Sequence, residues 1–135
     1  MIQFYFLSIL FNTLAGYALI VDGETGHSAL DGLKTYFLNE TFRLVVGILV
    51  AATGFFKLLS AVRGDVPVVG DLLPALAGLA AGFILLFEYY RSRSTVSSTG
   101  ADRIETIFVN NRKWFGYVAV GSAAAHFLFP TVLFL

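Results

Sequence analysis

The sequence has no cysteine, so a disulfide framework, a thiolate metal site and a cysteine nucleophile are all excluded. It is also short of charge: nine basic and nine acidic residues make up 13% of the chain, about half of what a water-soluble domain uses to cover its surface. Net charge is zero, which leaves no basic excess for nucleic acid. What fills the space is apolar. Hydrophobic residues are 57% of the chain and the mean hydropathy is +0.78, so the lipid bilayer is the expected solvent.

Four apolar runs stand out: Ile2–Val21, Phe42–Val62, Leu72–Tyr90 and Trp114–Leu135. About 20 helical residues rise ~30 Å, one hydrocarbon thickness, so each run is long enough to cross. The first lacks a basic leader and a clear small-residue cleavage site, and is expected to be retained. The short connection Arg63–Asp71 holds Pro67, Gly64 and Gly70, which makes runs two and three antiparallel neighbours. Pro130 should kink or end the fourth run. The expected fold is all-α: residues 1–135 as one polytopic transmembrane four-helix domain, with candidate repeats 1–62 and 72–135.

Cytoplasmic connections are enriched in Lys and Arg. Lys34, Arg43, Arg91, Arg93, Arg103, Arg112 and Lys113 lie on one side, against Lys57 and Arg63 on the other. Seven to two places loops 22–41 and 91–113 in the cytoplasm and both termini outside, in the cell's inner (plasma) membrane. Tyr36, Tyr89, Tyr90, Trp114 and Tyr117 then fall at the cytoplasmic interface, where amphipathic rings are favoured.

The stretches Asp31–Asn39 and Asp102–Asn110 precede runs two and four, and agree at Asp, Thr, Phe and Asn, four of nine positions. They occupy matching places in two helical hairpins, echoed by Leu14–Gly16 and Leu76–Gly78, which suggests a duplicated two-helix unit in parallel orientation. As helices, both stretches are amphipathic and could lie in the interface or extend the following span. Asp102 and Glu105 resemble a capping box, after the polar stretch Ser92–Gly100, so a helix is expected to begin at Asp102.

Small residues allow close helix approach in lipid, and Gly47, Gly54, Gly78, Gly82, Gly116 and Gly121 are the candidate packing positions. Packing inside one bundle is the plain reading; a surplus of small faces would also suit a homo-oligomer or a larger membrane protein partner. The polar candidates within the runs are Asn12, Lys57, Ser122 and His126. Lys57, near the end of run two, is expected to snorkel to water, and His126 to hydrogen-bond Asn12 or a backbone carbonyl. Arg43 and Glu88 sit at similar depth and are expected to form an ion pair.

His27 and His126 are too far apart along the spans to share a haem, and no other donor set supports a metal or cofactor. Neither a catalytic triad spacing nor a phosphate loop is present, so no enzyme is expected. Arg63-Gly64-Asp65 and the sequon Asn39-Glu40-Thr41 are short enough to recur by chance, and neither is given a role. Two readings follow. One is a non-catalytic helix-packing subunit with a dry centre. The other is a small transporter or channel, in which Asn12, Ser122, His126 and Lys57 converge inside the bundle.

Overall fold

The computed structural model describes residues 2–21, 31–59 and 72–129. They form α1 (Ile2–Ile20), α2 (Asp31–Leu38), α3 (Glu40–Leu59), α4 (Leu72–Arg93), α5 (Thr99–Ile104) and α6 (Arg112–Leu128), with one π-helical turn, Glu105–Val109, between the last two. The fold is all-α. Helices α1, α3 and α4 are long and apolar enough to cross a membrane. Helix α6 has 17 residues within the described segment, and Pro130, where its kink is expected, lies outside the described residues.

The helices form a bundle that is apolar on the outside. Phe6, Leu10, Ile48, Phe55, Leu76 and Phe83 are exposed, while six polar side chains among the described residues are buried. A water-soluble bundle shows the opposite arrangement. Helix α3 packs along α4 and α1 along α6, with α1 also touching α3 and α4. Helices α3 and α6 stand on the outer diagonal, and their backbones do not approach each other.

The two long seams repeat each other residue for residue. A Cβ added to Gly16 of α1 would lie 2.7 Å from the Gly116 carbonyl oxygen and 2.6 Å from the Val120 side chain of α6. One added to Gly82 of α4 would lie 2.9 Å from the Gly47 carbonyl oxygen and 2.8 Å from the Ala51 Cβ of α3. In the reverse direction Gly116 faces Leu19 and Ile20, and Gly47 faces Leu85 and Leu86. Both seams therefore exist because a missing side chain lets backbone meet backbone. The register differs from the tripeptide match: Gly16 corresponds by its contacts to Gly82, one turn beyond Gly78.

The amphipathic segments repeat too. Phe37 of α2 meets the Tyr17 ring edge-on at 4.7 Å, and Phe108 of the π-helical turn meets Phe83 edge-on at 5.5 Å. Each Phe pins its segment against the preceding long helix. The segments then diverge. Asn39 caps α3 by accepting from the Thr41 and Phe42 amides, whereas Asn111 makes no such cap for α6. Helix α5 starts at Thr99 rather than Asp102, because the Ser98 hydroxyl accepts from the Ala101 amide and is the N-cap. Glu105 is turned instead toward Arg91, at 2.6 Å.

Candidate functional site

Among the described residues, the buried polar side chains are Ser8, Asn12, Thr53, Lys57, Ser122 and His126. Helical spacing explains how they come together. Ser8 and Asn12 are one turn apart on α1, Thr53 and Lys57 one turn apart on α3, and Ser122 and His126 one turn apart on α6. Each pair faces the bundle interior near the end where α1 begins. By the seam register, Thr53 corresponds to Ser122 and Lys57 to His126, so α3 and α6 present matching polar positions to the centre, while Ser8 and Asn12 of α1 stand opposite Pro74 and Gly78 of α4 in that register.

Lys57 and His126 meet there. Lys57 Nζ lies 2.9 Å from His126 Nε2, and their residues are 6% and 1% exposed. Either the ammonium donates to the imidazole lone pair or Nε2–H donates to the amine, and in both cases one proton lies between the two nitrogens. Tyr5 closes the same layer. Its hydroxyl donates to the His126 carbonyl oxygen at 2.9 Å, its ring lies 4.7 Å from the imidazole, and Lys57 Nζ is 5.9 Å from its centroid.

These contacts correct two expectations. Lys57 does not snorkel, because it shares the inward face of α3 with Val50 and Thr53 and is buried with them. His126 contacts Lys57 rather than Asn12. The Asn12 amide donates instead to the Pro74 carbonyl oxygen at 3.0 Å and to the Ser8 hydroxyl at 3.4 Å. The Pro74 nitrogen carries no hydrogen, so Pro74 accepts from the Asn12 NH2 through its carbonyl oxygen and offers no backbone donor to Asn12 Oδ1. Gly78 makes the room: a Cβ there would sit 2.9 Å from Asn12 Oδ1. Among the described residues, Asn12 Oδ1 and Ser122 Oγ accept or donate no hydrogen bond, although they are buried.

Below this polar end lies an apolar layer. Ala15, Val50, Ala81 and Ala119 are at most 1% exposed and belong to one apolar cluster with Leu19, Ile84 and Leu85. Beyond it the bundle ends in charge. Glu88 of α4 receives Arg43 of α3 and, at 3.1 Å, Arg112 of α6, which are themselves equivalent positions in the two halves. A cavity of about 140 Å³ beside this ion cluster is lined by Glu40, Arg43, Leu85, Glu88, Tyr89 and Ser92. Arg43 and Lys57 are 14 residues apart on α3, as are Arg112 and His126 on α6, so the charged and histidine ends are separated by about 21 Å.

Of the packing candidates, Gly47, Gly54, Gly78, Gly82 and Gly116 are used inside the bundle, Gly54 facing the Ala75 carbonyl oxygen at 2.8 Å. Gly121 is not; its Cβ position faces open space. Two participants were absent from the sequence-based set. Gly16 lies in no small-xxx-small pattern of its own, and Tyr5 looks like any aromatic near a helix start. The regular spacing of Tyr5, Ser8 and Asn12 on α1 was the available signal.

A protein-family model matches residues 1–126. An uncharacterized protein of Treponema pallidum (strain Nichols) is 31% identical over 135 residues, covering 100% of both chains. The chain belongs to this family. No solved structure matches it.

Proposed function

We propose that the chain is a small integral membrane transporter without catalytic activity, with four spans, in which the Lys57–His126 layer is the binding site. The observation that carries this reading is the convergence of repeat-equivalent ionisable residues, in contact and buried, inside an otherwise apolar bundle. Burying such groups is costly, and the glycine seams hold the helices together without them. A helix-packing role alone gives them no purpose. The apolar layer of Val50, Ala81 and Ala119 separates the polar end from the Arg43–Glu88–Arg112 end, which suits alternating access better than an open channel. In the membrane, the excess of Lys and Arg orients the Arg43–Glu88–Arg112 end to the cytoplasm and the histidine end outward.

The test is proton movement into proteoliposomes loaded with a pH-sensitive dye, driven by a potassium diffusion potential. Purified protein should accelerate acidification over protein-free vesicles, and Lys57→Met with His126→Leu should abolish the gain. Equal rates with and without protein would sink the transport reading. A second reading, the packing subunit of a homo-oligomer or larger complex, is favoured by Gly121, which with exposed Ala124 leaves a small-residue face on α6 unused within the bundle. Absence of flux together with one discrete cross-linked oligomer would favour it.

A further inference from the structure

We propose that Asn12 Oδ1 and Ser122 Oγ each hold a water molecule, in a hydrated pocket that runs inward from the Tyr5–Lys57–His126 layer and stops at the Val50–Ala81–Ala119 layer. This deepens the transport reading, because it names water, and the proton that water conducts, as what enters the site. Three observations carry it.

The first is satisfaction. Asn12 is 2% and Ser122 3% exposed, yet neither Asn12 Oδ1 nor Ser122 Oγ has a hydrogen-bond partner among the described residues. A buried amide oxygen and a buried hydroxyl without partners each cost roughly 1–3 kcal/mol, and an enclosed polar site of this kind is where internal water is found.

The second is lining. From the end inward, the bundle interior presents Tyr5, Lys57 and His126, then Ser8, Thr53 and Ser122, then Asn12, so a water meets a polar group at each turn. Thr53 donates to the Leu49 carbonyl oxygen at 2.8 Å, which leaves its oxygen lone pairs as acceptors.

The third is the stop. Two turns below Lys57 and His126 the same helix faces carry Val50 and Ala119, and Ala81 of α4 is completely buried beside them. Among the described residues, no buried polar side chain occurs in that layer. Water has two or three turns of pocket and then nothing to bond.

The charged and titratable groups facing the pocket among the described residues are Tyr5 from α1, Lys57 from α3 and His126 from α6; α4 contributes the Pro74 carbonyl. A proton brought by the water meets a pair that already shares one across its 2.9 Å contact.

The absence of native cysteine makes the test direct. Ser122→Cys and Ala119→Cys proteins are reconstituted in liposomes and exposed to silver ions, which are close to water in size and bind thiolate. Thiols left unreacted are then counted with a maleimide after detergent solubilisation. Silver should block Ser122→Cys at least about tenfold faster than Ala119→Cys, since only a hydrated thiol ionises readily. Equal, slow rates at both positions would overturn the pocket. As a measurement on the unaltered chain, magnetisation transfer from water to the Asn12 side chain by solid-state NMR should be observed, and its absence would also count against the proposal. A dry Ser122 with proton flux retained would remove this pocket while leaving transport standing. Hydrated thiols with no flux would do the reverse.

Discussion

At the residue scale, the contact between Lys57 and His126 depends on two positions that the seams make equivalent. Exchanging them, Lys57→His with His126→Lys, keeps one amine and one imidazole across the same gap. The exchanged protein should unfold within about 1 kcal/mol of the parent in detergent. His126→Leu alone should stay folded but lose about 1–3 kcal/mol, because the leucine offers Lys57 Nζ no nitrogen in place of Nε2. Both are read by thermal unfolding followed by circular dichroism. An exchange variant as unstable as His126→Leu would show that the pair is not interchangeable. Depth along a helix is legible in a sequence, and Lys57 was correctly seen near the end of its apolar run. The direction in which it points is not, because α3 carries hydrophobic residues on its exposed face (Ile48, Phe55) as well as its buried face (Val46, Val50), and only tertiary packing separates inward from outward.

At the element scale, the seams depend on backbone contact between glycines. Gly16→Leu would drive a side chain into the Gly116 carbonyl oxygen and Val120, where even a Cβ would lie at 2.7 and 2.6 Å. The helices must separate, and the loss should be about 3 kcal/mol or more. Gly121→Leu, facing open space, should change stability by less than about 0.5 kcal/mol. Equal losses from the two variants, compared by denaturant unfolding in one detergent, would contradict the assigned seam. The α3–α4 pairing was legible because the connection between them is short. The α1–α6 pairing was not, since its two glycines stand 100 residues apart and Gly16 has no small partner one turn away. The π-helical turn at Glu105–Val109 was equally hidden. It adds width without any proline or glycine to mark it, and it permits Phe108 to reach Phe83 while Glu105 reaches Arg91.

At the scale of the whole molecule, the charged end gathers Arg43, Glu88, Arg112 and Arg91, with Trp114, Tyr36 and Tyr90 exposed around it. If basic residues stay on the cytoplasmic side, a cysteine at Ser98 should react with a membrane-impermeant maleimide only after intact cells are permeabilised. Labelling before permeabilisation would invert the topology. The all-α architecture, the amphipathic segments and the polar residue types could be read from composition and period, because the hydrophobic runs are long and their breaks sharp. The repeated ladder of contacts could not. The two halves share few identities outside Asp31–Asn39 and Asp102–Asn110, and Lys57 and His126 are alike only in the place they occupy.

The pairing of α1 with α6 has a consequence for biogenesis. Synthesis delivers α1 before α3 and α4 and its principal neighbour α6 after them, so the nascent α1 must wait, with Ser8 and Asn12 lacking α6, until both intervening long helices have been made. The middle pair, α3 and α4, can settle in the meantime, and the late arrival of α6 completes the bundle and brings His126 to Lys57 in one event.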